Sequence, residues 1–363
     1  MCRGRSAGAG DPAKRELAAS KLTWEAIIAN FRIPLLGRRW LELALGIGMA
    51  GLFLHLALRN VDMAEAMAAF SGIDSRHIAP IVAMSFVVLW LRVWRWKSMF
   101  SSGTRPSGRS AFHAFVLGAF GNCVLPGRLG DLMRAGLIAR DIPAMGISGA
   151  LATVVLEKVM DGLAVLVLLA LALWFAPLPV WLVQAGLVTA AVFLFALALL
   201  FVMARRVTKQ VGPRKPGLAG LSRRRPIAVL YRLAHKFTVG LEVVTSIRQL
   251  VVLLLFSVLI WSAESLIVYL SFQLFDIGLP PVAALVTIVY LTVGTMLPAA
   301  PGFIGTYQFF VISALALYGV AESAGLALSI FMNLFAIGMA SVFAAGALLV
   351  QLLPATRHRP AQG

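Results

Sequence analysis

A proline–glycine break in an apolar stretch restricts the possible folds of this chain more than any other feature. Three conformation-breaking residues and three charged residues share the segment: Pro126, Gly127, Gly130, Arg128, Asp131 and Arg134. A helix that faces lipid avoids such breaks, because backbone groups released from the helix find no water in hydrocarbon. Charges at membrane depth face a protein interior or a wet cavity. The segment is therefore either a loop that returns to water at once or a polar pocket inside a membrane.

The composition decides that a membrane is the relevant environment. The 363 residues are 60% apolar and 13% charged, which excludes an ordinary soluble domain. The net charge of +17 does not indicate nucleic-acid binding. The Lys and Arg residues lie mostly beside apolar runs, where they set topology and attract anionic lipids. The two Cys and five His residues lack disulfide or metal-site spacing, so neither a metal nor a cofactor is expected.

Apolar runs of about 20 residues predict about six spanning helices. Their ranges are about 40–58, 78–96, 149–175, 180–203, 250–274 and 325–352. The second run ends in Arg92, Arg95 and Lys97, interleaved with tryptophans, a pattern that favours an interfacial anchor. Two more apolar segments, 112–138 and 281–320, are each broken near the middle into short arms. We predict an all-α polytopic membrane protein in which these two segments form re-entrant helical hairpins.

Basic segments predict the sidedness of the chain. Residues 1–39 hold eight Lys/Arg against three acids, and residues 205–249 hold eleven against one. We predict a cytoplasmic leader over 1–39, a transmembrane domain over 40–352, and a cytoplasmic tail over 353–363. Both termini would then lie inside a bacterial-type cytoplasmic (inner) membrane.

The basic loop 205–249 also carries apolar residues at helical spacing: Leu230, Leu233, Phe237, Leu241 and Val244. They predict an amphipathic helix. It lies either on the inner leaflet, where it meets anionic lipids, or packed under the helix bundle.

The break recurs in the second half of the chain. Pro301, Gly302 and Gly305 repeat the P-G-x-x-G pattern 175 residues after the first copy. With six spans, the first hairpin enters from inside and the second from outside, so the two hairpins form an inverted repeat. Paired breaks in the two halves of a membrane protein point to a substrate site near the midplane.

The residues around the first break resemble a known family. The run Asn122-x-x-Leu125-Pro126-Gly127-Arg128-Leu129-Gly130-Asp131-x-x-Arg134, with the later break, resembles the lysylphosphatidylglycerol synthase transmembrane (flippase-like) family over roughly residues 40–350. Family members usually carry Glu where this chain has Asp131. The resemblance implies re-entrant hairpins and the movement of anionic or aminoacylated lipid across the inner membrane. It also implies that full synthases carry a soluble transferase domain. This sequence ends eleven residues after Leu352, so it is not expected to make the lipid itself.

The candidate substrate-binding residues are polar groups in apolar surroundings: Asn122, Arg128, Asp131, Arg134, Glu157, Lys158, Asp161 and Glu264. Arg128 and Arg134 are the expected phosphate partners, because a guanidinium grips phosphate oxygens at two points. Asp131 is three residues from each and could lock both. The acidic residues either neutralise these arginines, read a lipid amine, relay protons or form a structural ion-pair network. Asn122 is expected to satisfy backbone groups of the broken helix.

These features predict a lipid translocase that binds an anionic phospholipid or a polyprenyl-phosphate-linked lipid. We expect no catalysis, and membrane lipids as partners. One alternative is an integral-membrane lipid-modifying transferase with Glu157 or Asp161 as base. Another is a non-catalytic scaffold of a lipid pathway, such as a hopanoid pathway. A homo-oligomer and complexes with lipid-pathway enzymes are both compatible with the sequence.

Overall fold

A computed structural model of the chain describes residues 36–101, 103–125, 128–175, 178–210, 236–238, 240–297 and 300–352. Pro126, Gly127, Leu230, Leu233, the leader up to residue 35 and the tail from 353 lie outside this described part. By internal contacts the chain divides into Met1–Ala44 and Leu45–Gly363, and the architecture below is that of the second unit.

All regular structure in the described ranges is helical. The described part of the chain contains these α-helices in order: α1 (Leu36–Leu58), α2 (Met63–Ala68), α3 (Ile78–Ser98), α4 (Gly108–Val124), α5 (Leu129–Asp141), α6 (Gly146–Phe175), α7 (Val180–Gln210), α8 (Ile247–Leu274), α9 (Pro281–Met296), α10 (Thr306–Ala316) and α11 (Glu322–Leu352). Serine side chains cap the N-termini of two of these helices. Ser107 accepts from the Ser110 N–H before α4, and Ser246 accepts from the Gln249 N–H before α8.

Four helical segments in the described part are long and apolar enough to cross a membrane: Ser75–Ser98, Val180–Arg205, Ile247–Leu274 and Glu322–Val350. They coincide with four of the six predicted spans. In α1 the side chains are described only from Ile47 on, and Ile47–Leu58 is a shorter apolar helix within that part. Helix α6 has 30 residues but carries three charges near its middle. The chain is thus an all-helical, multi-pass membrane protein over its described residues, and the count of six spans stays a prediction.

The two broken segments form helix–break–helix pairs. Helices α4 and α5 pack against each other, as do α9 and α10. Helix α5 has 13 residues and α10 has 11. At about 1.5 Å per residue these helices are roughly 20 Å and 16 Å long, short of the ~30 Å hydrocarbon core. Their lengths suit re-entrant hairpins, whose insertion and inverted relationship stay predictions.

Helix α6 joins the two main hydrophobic clusters of the bundle. The first cluster contains Trp96 and Leu156 and packs the first hairpin against α3, α6 and α7. The second contains Leu169 and Phe272 and packs the second hairpin against α6, α8 and α11. Because Leu156 and Leu169 both belong to α6, its charged middle lies between two apolar halves of the core.

Part of the basic loop packs against the bundle. Leu241 and Val244 are fully buried in the first cluster, and Phe237 packs at its edge. A Cβ at Gly240 would lie 2.2 Å from the carbonyl oxygen of Gly149, so the backbones touch. Among the described residues of the predicted amphipathic helix, 236–238 are helical, and a turn and the 3-10 helix Glu242–Thr245 precede α8. This packing favours the interpretation that the segment lies under the bundle.

Gly305 of the second break is required for two reasons. Its φ is +83°, and a Cβ there would lie 2.3 Å from the Ala50 carbonyl oxygen. We expect Gly305→Ala to lower the stability of the detergent-solubilised protein by about 1–3 kcal/mol through overpacking, measured as a lower melting temperature. Gly319→Ala is the matched control, because Gly319 also has a positive φ of +72° but open space around it. Equal losses in the two variants would contradict the close-contact explanation.

Candidate functional site

Asn122 and Asp131 hold the two helices of the first hairpin together. The Asn122 Oδ1 accepts from the backbone N–H of Asp131 at 3.1 Å, in the first turn of α5. The Asn122 side-chain amide donates to the Asp131 carboxylate at 3.1 Å. Asn122 therefore satisfies an N–H at the start of α5 that has no partner within that helix, as the sequence predicts. Asp131 also lies at the helix end where a negative charge is favourable.

The tips of the two hairpins touch through Arg128. Its Nη2 donates to the Thr295 carbonyl oxygen at 2.5 Å, in the last turn of α9, where carbonyls lack partners within the helix. Its guanidinium lies 5.9 Å from the centre of the Phe303 ring. Arg128 and Phe303 are the third residues of the two P-G-x-x-G copies, and both are left-handed, with φ of 55° and 57°. The two breaks thus share one unusual backbone conformation at equivalent positions.

Six charged side chains form a continuous series of ion pairs, which we call the ion chain: Lys158, Asp131, Arg134, Glu157, Arg95 and Asp161. The N–O distances in that order are 3.5, 3.4, 2.9, 3.4 and 2.5 Å. The chain joins α3, α5 and α6. Cations and carboxylates alternate along it, so no charge in the series is left without an opposite neighbour.

Arg95 is the most deeply buried cation of the ion chain. It is completely buried and contacts both Glu157 and Asp161, and it also donates to the Ser257 hydroxyl at 2.6 Å. The sequence-based interpretation of Arg95 as an interfacial anchor is therefore wrong. Trp90 and Trp94 on the same helix are exposed and stack on each other, and their place at a membrane interface stays a prediction.

The ion chain is not fully hydrogen-bonded. The Arg95 Nε and Nη2, the Arg134 Nε and the Glu157 Oε2 atoms are buried without an aligned hydrogen-bond partner among the described residues. The contacts between Arg95 Nη2 and Glu157, and between Arg134 and Glu157 Oε2, are thus close ion pairs with poor hydrogen-bond geometry. Partly satisfied networks in a low dielectric are expensive to maintain. This arrangement is consequently sensitive to the loss of any one charge.

Arg134 is enclosed by aromatic rings as well as carboxylates. Its guanidinium carbon lies 4.6 Å from the Trp96 ring centre and 5.0 Å from that of Phe115, and the residue is 2% exposed. In contrast, Arg128 is exposed at the hairpin tip. The two arginines that the sequence predicts as joint phosphate partners therefore have different surroundings, and that pairing stays a prediction.

A second ion pair, which we call the cavity pair, faces a partly open cavity. The Arg92 Nη2 on α3 lies 2.9 Å from Glu264 Oε1 on α8, and about a quarter of each side chain is exposed, 22% and 28%. Arg92 thus pairs with a carboxylate in the bundle and is not the anchor that the sequence suggested. Glu264, isolated in its own helix, finds its partner 172 residues away.

The cavity has a volume of about 220 Å³ and is mostly apolar. Its wall includes Phe115 of α4, Tyr307 of α10, and Phe335 and Phe343 of α11, besides the cavity pair. Helices of both hairpins therefore line it. Since Phe115 also lies against Arg134, one side chain separates the cavity from the ion chain.

Trp261 links the two charged groups. Its indole N–H donates to Asp161 Oδ1 at 3.1 Å, and the Arg92 guanidinium lies 5.5 Å from its ring centre. Together the ion chain and the cavity pair contain four cations and four carboxylates, so the formal charges of these eight residues sum to zero. No group of His, Cys, Asp and Glu suited to a metal ion occurs within the described ranges.

The structure brings most of the predicted site residues together. Asn122, Asp131, Arg134, Glu157, Lys158 and Asp161 belong to one connected cluster, whereas Glu264 lies in the cavity pair and Arg128 at the hairpin tip. Lys158 pairs with Asp131, although its own helix offers Asp161 three residues away. Sequence reasoning interpreted Arg92 and Arg95 as interfacial anchors and missed their ion pairs inside the bundle. Their spacing of three residues on one face of α3, together with three carboxylates at membrane depth that need cations, was the available signal.

These features define a polytopic helical membrane protein with two broken helical hairpins, a cluster of opposite charges that balance one another, and an apolar cavity. The chain belongs to the family described as the lysylphosphatidylglycerol synthase TM region, whose family model matches residues 40–359. A search of curated proteins and a search of solved structures found no match. The family confirms the resemblance seen at the first break and makes this a lipid-related membrane protein.

Proposed function

We propose that this protein is a lipid translocase that takes a phosphate-bearing membrane lipid into the cavity between its two hairpins. The observation that carries the proposal is an apolar cavity whose wall contains one partly exposed ion pair. A lipid combines apolar and charged parts in the same way, since it has apolar chains and a charged head group. Sites for such ligands are mostly apolar with a few placed polar groups.

In this proposal Arg92 holds the head-group phosphate, because a guanidinium binds phosphate oxygens at two points and stays charged in any environment. The acyl chains lie along the aromatic wall formed by Phe115, Phe335 and Phe343. The Trp261 ring lies against the Arg92 guanidinium and keeps that side chain in place.

The hairpin tips supply an element that could open. Arg128 joins them by one hydrogen bond and one ring contact, and it is exposed. The matching left-handed residues Arg128 and Phe303 support the predicted internal repeat. With the predicted sidedness, the hairpins would open the cavity to opposite leaflets of an inner membrane in turn.

The transport activity is testable in liposomes that contain a fluorescent phospholipid and an impermeant quencher outside. We expect the wild-type protein to expose inner-leaflet lipid to the quencher, and the double variant Arg92→Met with Glu264→Leu to fall to the rate of protein-free liposomes. Replacing both members of a buried pair by apolar residues often preserves stability, so loss of folding is not expected.

The matched control also removes one cation and one carboxylate. Arg76→Met with Glu65→Leu changes two exposed residues outside the cavity, where charges contribute little. This variant should transport at the wild-type rate. Unchanged transport in the cavity double variant would contradict the proposed site. If Arg128→Ala alone abolished transport in that case, the phosphate would instead be held at the hairpin tip.

A further inference from the structure

The cavity pair presents both signs of charge to the same apolar space. Arg92 and Glu264 are each partly exposed, at 22% and 28%, while the surrounding wall is mostly apolar. No further charged residue lines this cavity in the described part of the chain. Among the described residues, the full charges available to a ligand there are thus one guanidinium and one carboxylate, which already contact each other.

A ligand with a single charge would leave one of these groups without a partner. If an anionic phosphate took the Arg92 guanidinium, Glu264 would lose its counter-charge in an apolar wall. If a cationic head group took Glu264, Arg92 would be left in the same condition. Separating a buried pair so that one charge stays uncompensated is strongly unfavourable. Only a head group that carries both charges can open the pair and leave neither residue unpaired.

We infer that the cavity selects zwitterionic phospholipids whose head group joins a phosphate to a primary ammonium, as in an ethanolamine phospholipid. This inference rests on the proposed function only in taking a membrane lipid as the occupant. The phosphate replaces Glu264 as the partner of Arg92, and the ammonium replaces Arg92 as the partner of Glu264.

The Glu264 carboxylate also distinguishes between zwitterionic head groups, namely ethanolamine and choline. A primary ammonium has three N–H donors for the Glu264 oxygens, whereas a quaternary choline ammonium has none. Hydrogen bonds to a charged group contribute about 1.5–3 kcal/mol, which corresponds to roughly tenfold or more in affinity. We therefore expect lipids with ethanolamine head groups to bind more tightly than lipids with choline or glycerol head groups.

Native mass spectrometry of the full chain in detergent tests the selection by binding, independently of transport. The protein is given equal amounts of ethanolamine, choline and glycerol phospholipids with identical acyl chains. We expect the ethanolamine lipid to be retained about tenfold over the choline lipid, and at least as strongly over the glycerol lipid. Glu264→Gln, which keeps size and shape, should abolish this preference, and Glu65→Gln, an exposed carboxylate change, should keep it.

Each result has one meaning. Equal retention of ethanolamine and glycerol lipids by the wild type, or an unchanged preference in Glu264→Gln, overturns the inference. Displacement of the lipid by phosphoethanolamine without acyl chains, at the same concentration, overturns the assignment to a lipid. Selective ethanolamine binding without movement in liposomes would support the inference while contradicting the translocase proposal.

Discussion

Arg95→Met is expected to lose most or all of the folded protein. The side chain is completely buried, and its removal takes the guanidinium away from both Glu157 and Asp161. Breaking a buried ion pair by removing one partner costs about 3–5 kcal/mol, which is a large part of the stability of a typical domain. The measurement is the monodisperse fraction and the melting temperature after detergent extraction. Lys97→Met is the control, because Lys97 lies two residues away on α3 and is partly exposed.

A second substitution shows whether the uncompensated charge causes the loss. In Arg95→Met with Asp161→Leu, one of the two stranded carboxylates is removed, while Glu157 keeps its 2.9 Å contact with Arg134. We expect this double variant to recover a large part of the lost stability, because replacing a buried pair by apolar residues is often neutral. A double variant no more stable than Arg95→Met would show that packing, and not charge, dominates at this position.

Gly130→Ala is expected to have the next largest effect, through the backbone of the first hairpin. A Cβ at Gly130 would lie 2.0 Å from the Gly118 carbonyl oxygen and 2.4 Å from the Asn122 nitrogen. Neither backbone atom can move without separating α4 from α5. Overpacking costs about 1–3 kcal/mol and occasionally more, and the displaced Asn122 would also lose its contacts with Asp131. The expected result is a lower melting temperature together with reduced lipid transport.

The same helix provides the matched control for Gly130. Gly136 lies six residues later in α5, and a Cβ added there would have no neighbouring atom within 4 Å. Gly136→Ala should leave stability unchanged or raise it slightly, since alanine favours a helix by about 1 kcal/mol over glycine. If both alanine variants behaved alike, the tight contact between α4 and α5 would not be the reason for glycine in the break.

Several features of this protein follow from local sequence. The apolar runs indicate helices in a membrane, because the need to satisfy backbone groups without water acts along each segment separately. The breaks at Gly130 and Gly305 are visible because proline and glycine alter the backbone where they stand. The capping role of Asn122 was expected from a polar amide in the last turn before the break. The run from Asn122 to Arg134 indicated the family before the match of the family model over residues 40–359 showed it.

The tertiary structure alone decided which charges meet. The sequence indicates that Glu157, Asp161 and Glu264 need partners at membrane depth, but it does not say that Arg95 and Arg92 supply them. Those partners lie on another helix, and the pairing depends on how α3, α6 and α8 are rotated and packed. Hydrophobic periodicity leaves that rotation open when a helix is apolar on all sides, as most of these are. The cavity has the same origin, since its wall is assembled from six helices distant in sequence.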